Sequence, residues 1–127
     1  MTEKQKKILI IEDEGPIARM LNLKFHNIGF NAQMVHDGKE ALDILKKNHF
    51  DLILLDLLLP KVDGFEILKK LKKMKINTPV IVSSNLSEKN FIDEAKKLGA
   101  VDYFIKAETP MAKVVEKSIK FLKVSPA

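Results

Sequence analysis

The chain contains no cysteine among its 127 residues. Disulfide bridges, thiol catalysis and cysteine-ligated zinc are therefore excluded, and a reducing compartment suits the protein. A long apolar run is also missing near the N-terminus, where only the four apolar residues 8–11 separate Lys7 from Glu12. Such a stretch is too short for the core of a signal peptide or for a membrane span. We therefore expect a cytoplasmic protein without membrane insertion.

Tryptophan is absent and Arg19 is the one arginine, although the net charge is +5, with 22 Lys+Arg against 17 Asp+Glu. Most lysines lie at helical spacing opposite apolar residues, which is typical of solvated helix faces. Aromatic residues are not interleaved with the basic ones. This pattern disfavours direct binding of nucleic acid. The positive charge fits an acidic partner surface, but only weakly.

Internal repeats and linkers rich in proline, glycine or serine are also missing, so the length indicates one domain. Short apolar runs alternate instead with longer segments of helical period. The runs are β-branched or leucine-rich and lack polar alternation, as expected for strands buried on both faces of a sheet. They span residues 8–11, 32–35, 52–55, 80–82 and 101–105.

Helix start and stop signals occur in the segments between these runs. A Gly-Pro pair opens the first segment, and Gly29 closes it as a C-cap. Asp37 and Asp63 each lie three residues before a glutamate, which is the spacing of a capping box. Ser87 is expected to cap a fourth helix, and Thr109 precedes the proline that opens a fifth. The sequence thus predicts five strands alternating with five helices.

Strict alternation of strand and helix predicts a mostly parallel sheet with helices on both faces. The expected fold class is α/β, a flavodoxin-like doubly wound (βα)5 sandwich with five parallel strands in the order 2-1-3-4-5. One domain over residues 6–123 accommodates it. In this order strands one and three are adjacent and flank the point where strand order reverses. Ligand sites in such sheets form outside the carboxyl ends of the strands at that point.

Acidic residues follow these two strands. Asp56 lies inside the otherwise apolar stretch 52–59, where a carboxylate is costly to desolvate. Such a carboxylate is expected either to have compensating partners or to have a function. Glu12 and Asp13 follow the first strand. Carboxylates brought close together require a cation, and a set of oxygen ligands favours Mg²⁺ or a similar hard ion. The sequence therefore predicts a Mg²⁺ site at this edge of the sheet.

Ser84 and Lys106 end strands four and five, and Tyr103 lies three residues before the lysine. With these residues in place, the chain resembles the receiver domain of two-component response regulators, in its single-domain, CheY-like form. The resemblance covers nearly the whole chain, and its motifs have the order and spacing of that family. The motifs are IIEDE at 10–14, LLDLLLPKVDG at 54–64, PVIVSS at 79–84 and GAVDYFIK at 99–106.

This resemblance implies a phosphorylation-dependent switch in a phosphorelay, a signalling module rather than an enzyme. Asp56 would be the phosphoacceptor, taking the phosphoryl group from the phosphohistidine of a histidine kinase or phosphotransfer protein. The carboxylates of Asp13 and Asp56 and the backbone carbonyl of Leu58 would hold Mg²⁺. Glu12 would act on the ion through a bound water.

The resemblance also assigns roles to the residues that end strands four and five. Lys106 would pair with phosphoryl oxygens. The Ser84 hydroxyl would reach toward the phosphoryl group after transfer, and Tyr103 would turn inward as a second switch residue. A downstream protein would bind through helix four, strand five and helix five. Because 127 residues leave no room for an output domain, we expect a receiver that acts alone.

The chain departs from the family pattern at several positions. Ala107 replaces the proline that usually follows the lysine, so we expect a trans peptide bond there, and the reach of Lys106 stays open. Asn85 stands where a small residue is usual, and it either narrows the entrance or bonds to the phosphate. Leu58 and Leu86 occupy positions where family members with fast dephosphorylation often carry polar groups. Two leucines cannot orient a water, so we expect a long-lived phosphoryl group.

Two other functions stay open on the sequence. A phosphorylation-independent scaffold would keep the fold without the switch, and Ala107 is its best support. A Mg²⁺-dependent phosphohydrolase commonly needs a general acid two residues after its nucleophile, and Leu58 at that position disfavours it. Binding of FMN is disfavoured, since the first strand–helix loop is acidic and lacks a phosphate cradle.

Overall fold

The computed structural model describes residues 5–123, along which five strands alternate with five α-helices. The strands are β1 (Lys7–Ile11), β2 (Asn31–Val35), β3 (Leu52–Leu55), β4 (Val80–Ser84) and β5 (Asp102–Ile105). The helices are α1 (Gly15–Asn27), α2 (Gly38–Lys47), α3 (Gly64–Lys73), α4 (Lys89–Lys97) and α5 (Met111–Lys123). A short 3-10 turn, Lys106–Glu108, lies between β5 and α5.

The strands form one parallel sheet in the order β2-β1-β3-β4-β5. This confirms the predicted α/β class and the predicted strand order. Ile11, the last residue of β1, lies opposite Leu55, the last residue of β3. The residues that follow these two strands therefore emerge side by side at the same edge of the sheet.

Each face of the sheet has its own apolar core. Leu9 and Ile11 point into the core that α2, α3 and α4 cover, whereas Ile8 and Ile10 point into the core beneath α1 and α5. All four side chains are buried. Because both faces are covered, the inner strands carry no polar alternation, as their sequence predicted. None of the helices in residues 5–123 is both long enough and apolar enough to cross a bilayer.

The two edge strands depart from the expected burial on both faces. β2 exposes Asn31 and Gln33, and every residue of β5 is only half-buried. An edge strand has a neighbouring strand on one side only, so less of its surface is covered. The predicted start of strand five is also wrong by one residue. Val101 is 45% exposed and precedes the first ladder residue, Asp102.

The helix ends follow most of the predicted signals. Oδ1 of Asp37 and Oδ1 of Asp63 each accept the backbone N–H three residues on, at 2.8 Å and 3.0 Å, which confirms both as N-caps. Gly29, with φ +96°, follows the end of α1 as predicted. The prediction of Ser87 as a cap is wrong. α4 begins one residue later, after Glu88, whose side chain makes no capping hydrogen bond.

Candidate functional site

Asp56 is held by the backbone just beyond the end of β3. Its N–H donates to the carbonyl of Ile11 at 3.0 Å, so the pairing of β1 with β3 continues past the last strand residue. The N–H of Leu58 donates to Oδ1 of Asp56 at 3.2 Å. The side chain is buried, with 5% of the residue exposed. The sheet therefore fixes this carboxylate beside the acids that follow β1.

Three carboxylates converge at this edge of the sheet. One oxygen each of Glu12, Asp13 and Asp56 lies within 4.8 Å of the other two. Glu12 is buried, and its N–H donates to the carbonyl of Val35 on β2 at 3.0 Å, whereas Asp13 is exposed. A compact set of carboxylate oxygens of this kind fits a hard divalent cation such as Mg²⁺.

Lys106 brings a positive charge to this cluster and to the neighbouring Glu14. Its Nζ donates to Oδ2 of Asp56 at 2.9 Å and to Oε2 of Glu14 at 3.2 Å, and it also forms an ion pair with Oε1 of Glu12. The lysine side chain is 12% exposed. Largely buried charges remain stable only when they are paired. The ammonium thus balances part of the negative charge of the cluster.

Burial changes the proton affinities of this ion-pair network. Burial raises the pKa of Glu12 to about 7, although its bonds to Lys106 and to the N–H of Glu14 oppose the rise. Burial alone would lower the pKa of Lys106, but the bonds to Glu12 and Asp56 outweigh it and raise the pKa above the ordinary lysine value. Lys106 is therefore a permanent cation near neutral pH. Shifted ionisable groups of this kind are typical of functional sites.

Ser84 and Tyr103 meet at the loop that follows β4. Ser84 is fully buried, and its Oγ accepts the N–H of Leu86 at 3.3 Å. The hydroxyl of Tyr103 donates to the carbonyl of Leu86 at 2.6 Å, and burial raises the pKa of the phenol. In the ladder Ser84 lies opposite Ile105, one residue before Lys106. The structure therefore places Ser84 at the edge that carries the acids, while the half-buried Tyr103 lies within β5 and reaches the loop after β4 through its hydroxyl.

The loop after β3 packs closely against the start of α3. A Cβ on Gly64 would lie 2.6 Å from Cα of Leu57 and 2.7 Å from the carbonyl oxygen of Asp56. Only glycine allows this approach of the helix to the backbone of the acid. Leu58 lies in this loop with 53% of the residue exposed. Its carbonyl as a ligand of Mg²⁺ stays a prediction.

The start of α2 holds the same loop from the other side. The N–H of Gly38 donates to the carbonyl of Pro60 at 3.2 Å, and a Cβ on Gly38 would lie 1.9 Å from the carbonyl oxygen of Val62. Lys61 forms an ion pair with Asp37 at 3.6 Å and has the unusual φ of +70°. Backbone contacts and one ion pair thus fix the loop that leads away from the buried acid.

Comparison with known proteins matches this fold and site to one family. The model of the response regulator receiver domain matches residues 8–117 of the chain. The chain belongs to this family. The receiver domain of the Francisella response regulator 1452 has a TM-score of 0.88 and 34% identity, covering 94% of this chain and 98% of that one. The predicted CheY-like receiver fold is therefore confirmed.

Relatives of this receiver domain differ in length. Sporulation initiation phosphotransferase F of Bacillus subtilis (strain 168) is 41% identical over 101 residues, which are 80% of this chain and 82% of that protein. The probable transcriptional regulator ycf27 of Porphyridium aerugineum is 38% identical over 106 residues, which are 84% of this chain but 44% of that protein. The chain thus spans less than half the length of the ycf27 protein.

Two side-chain hydrogen bonds of this receiver domain were missed in the sequence. The bond between Lys106 and Ala107 is trans, as expected, because residues 5–123 contain no cis peptide bond. The N–H of Ala107 donates to Oδ1 of Asn85 at 3.1 Å, a role for Asn85 that the sequence did not suggest. The signal was the replacement of proline by alanine, which adds a backbone donor. Glu14 also contacts Lys106. The sequence feature that could have indicated this contact is the position of Glu14 as the third consecutive acid after β1.

Proposed function

We propose that this receiver domain, over residues 6–123, is a phosphorylation-dependent switch of a two-component phosphorelay with Asp56 as its phosphoacceptor. The observation that carries the proposal is the buried carboxylate of Asp56, bonded at 2.9 Å to Lys106 where Glu12 and Asp13 converge. Placing a carboxylate among other acids in a buried position costs free energy. This cost is explained if the Asp56 carboxylate is a nucleophile, because it must then attack an anionic phosphoryl group beside a cation.

The transfer step uses groups that this chain supplies. A carboxylate oxygen of Asp56 attacks the phosphorus of a phosphohistidine, forming a P–O bond as the P–N bond breaks. The imidazole leaves with the electron pair of the broken bond. Leu58 N–H and Lys106 Nζ bind different oxygens of the Asp56 carboxylate and so orient it before the attack. Lys106 also stabilises negative charge on the phosphoryl oxygens.

The acids fit the divalent ion that the family resemblance implies. Glu12, Asp13 and Asp56, together with the carbonyl of Leu58, would hold Mg²⁺, with Glu12 acting through a water. When bound, the ion screens the repulsion between the carboxylate nucleophile and the phosphoryl group. The fit rests on the oxygen-only ligands and on the separation of at most 4.8 Å between the carboxylate oxygens of Glu12, Asp13 and Asp56.

The phosphoryl donor is a histidine kinase or a phosphotransfer protein. The relative named sporulation initiation phosphotransferase F supports a place in such a relay. Ser84 and Tyr103 then pass the change at Asp56 to the surface formed by α4, β5 and α5, where a downstream protein binds. The contact of both switch residues with Leu86 supports this route. The domain acts as a signalling module and not as a turnover enzyme.

The alternative of a phosphorylation-independent scaffold has less support than the sequence suggested. Its main argument was Ala107 in place of proline, with uncertain reach for the preceding lysine. Lys106 contacts Asp56 despite the trans bond to Ala107, so that argument no longer favours the scaffold. A phosphohydrolase is disfavoured as well, because the residue two positions after Asp56 is the half-exposed Leu58.

The proposal is tested by incubating the protein with Mg²⁺ and acetyl phosphate and mapping the adduct by mass spectrometry. The wild type should gain one phosphoryl group on Asp56, and Asp56→Asn should gain none. Asp93→Asn is the matched control, because Asp93 lies on the exposed face of α4 and pairs only with Lys89 among the described residues. An unmodified wild type, or an adduct that persists in Asp56→Asn, would contradict the proposal.

A further inference from the structure

A side-chain hydrogen bond joins the two loops that follow β4 and β5. Oδ1 of Asn85 accepts the N–H of Ala107 at 3.1 Å. Since a backbone N–H only donates, the oxygen end of the Asn85 amide must face Ala107. We propose that Asn85 is a positioning residue for Lys106, holding the peptide bond after the lysine so that its ammonium stays on Asp56. This inference rests on the proposed function.

Lys106 lies where an edge strand passes into a short 3-10 turn. The turn Lys106–Glu108 ends with a long hydrogen bond, from the N–H of Thr109 to the carbonyl of Lys106 at 3.5 Å. β5 is an edge strand, so β4 is the only strand that pairs with it in the described sheet. The last ladder pair is Ser84 with Ile105. The hydrogen bond between Asn85 and Ala107 therefore continues the hydrogen bonding of β4 with β5 beyond the last ladder pair.

The identity of residue 107 explains why the hydrogen bond from Ala107 to Asn85 is needed. Proline would fix φ near −65° and carry no N–H, whereas alanine leaves φ free and adds a donor. Ala107 and Asn85 are both exposed, so water would satisfy either group. Satisfying a buried donor is therefore not the purpose of the bond. Its effect is geometric, because it restricts the peptide from which the lysine side chain projects.

The position of that peptide matters because the lysine head group is tightly engaged. Lys106 Nζ contacts Asp56, Glu12 and Glu14 at the end of a flexible four-carbon stem. Small misplacements of catalytic groups lower transfer rates strongly. Among the described residues Asn85 forms no hydrogen bond with the acids or with the ammonium, so it acts on transfer through the backbone of its neighbour.

A double-mutant cycle tests the inference. Wild type, Asn85→Ala, Ala107→Pro and the double variant are phosphorylated with acetyl phosphate at saturating Mg²⁺. Asn85→Ala should slow phosphorylation roughly threefold to tenfold, the effect expected of one hydrogen bond. With Ala107→Pro in place, the same substitution should change the rate less than about twofold, because proline offers no N–H. Equal slowing in both backgrounds would show that Asn85 acts on the phosphoryl group or its entrance, and would overturn the inference.

Amide hydrogen exchange gives a readout that does not depend on phosphorylation. Exchange at Ala107 should be faster in Asn85→Ala than in the wild type, and Asn85→Asp should restore slow exchange because it keeps the acceptor. The midpoint of thermal unfolding should stay unchanged, since the bond is exposed. If the wild type is phosphorylated, two results would contradict the inference alone. One is unchanged amide exchange at Ala107 in Asn85→Ala, and the other is a phosphorylation rate of Asn85→Ala equal to that of the wild type. A wild type without any phosphoryl adduct would contradict the proposed function as well.

Discussion

The ammonium of Lys106 lies 2.9 Å from Oδ2 of Asp56, although fifty residues separate the two in the sequence. The same ammonium pairs with Glu12 and Glu14, so one cation is shared among three carboxylates. A divalent ion held by Glu12, Asp13 and Asp56 would use two of these carboxylates. The lysine and a bound ion would therefore compete electrostatically for the same negative charge.

Replacing Lys106 by alanine should therefore strengthen binding of Mg²⁺. Loss of the ammonium leaves the acids uncompensated, and we expect the affinity to rise roughly fivefold to thirtyfold, or about 1–2 kcal/mol. Phosphorylation of the same variant should slow by roughly a hundredfold, because the phosphoryl oxygens lose their cation. Titration calorimetry measures the affinity. Lys69→Ala, on the exposed face of α3, is the control and should leave it unchanged. Weaker binding by Lys106→Ala would contradict the competition.

Substitution of Gly38 by alanine should disturb the loop after β3. The new Cβ would lie 1.9 Å from the carbonyl oxygen of Val62, so α2 or the loop must move. We expect a loss of roughly 1–3 kcal/mol in the free energy of unfolding, measured by urea denaturation. The folded variant should also bind Mg²⁺ more weakly, because the loop carries the Leu58 carbonyl.

The control for this steric argument is Gly15→Ala at the start of α1. Its new Cβ would meet only the guanidinium end of the Arg19 side chain, at 2.9 Å, which is free to move. The free energy of unfolding should change by less than about 1 kcal/mol. Unaltered Mg²⁺ affinity in Gly38→Ala would show that the contact with α2 does not position the loop.

The parts of this receiver domain that the sequence predicted depend on local pattern and on one topological rule. β1 and β3 are continuous apolar runs because both of their faces are covered, and such runs can be recognised in the sequence alone. Asp56 stands out because a carboxylate interrupts such a run. Its meeting with Glu12 followed from the rule that sites lie where strand order reverses.

The parts that were missed depend on distances between loops. No periodicity relates Asn85 to Ala107, or Gly38 to Val62, since these contacts arise only when two loops from different strands are packed together. The error at Ser87 has another cause. Several polar residues precede α4, and polar composition alone does not fix which of them is the last residue before the helix.

Asp37 gives a prediction about stability and pH. The N–H of Glu40, with the neighbouring Lys61 assisting, lowers the pKa of Asp37 below its ordinary value of 3.8. A carboxyl whose pKa is lowered by folding adds stability above its unfolded pKa and loses it as the pH falls through the folded pKa. Asp37→Asn keeps a capping oxygen but removes the charge. The difference in unfolding free energy between wild type and variant should therefore be present at pH 7 and shrink below about pH 4.

Urea denaturation at several pH values measures this difference directly. Asp37→Ala, which removes the capping oxygen as well, should retain a residual loss of stability where the charge no longer contributes. A difference between wild type and Asp37→Asn that stays constant from neutral to acidic pH would contradict a role for the charge.

Leu58 and Leu86 lead to a prediction about the lifetime of the phosphoryl group. Leu58 lies two residues after Asp56, and Leu86 lies two residues after Ser84, half-buried against the core beneath α2, α3 and α4. Hydrolysis of an aspartyl phosphate needs a water held in line with the bond that breaks. Neither leucine side chain has an atom that binds water. We therefore expect the phosphoryl group to outlast a timescale of seconds.

The double variant Leu58→Asn, Leu86→Glu should shorten this lifetime roughly tenfold to a hundredfold, because its polar groups hold the attacking water. The decay is followed by intact-protein mass spectrometry after removal of acetyl phosphate, with Mg²⁺ present. Leu23→Asn is the control, because Leu23 is an exposed leucine on α1. Its lifetime should equal that of the wild type. Decay of the wild type within seconds, or equal lifetimes for wild type and double variant, would mean that water reaches the aspartyl phosphate without help from these two positions.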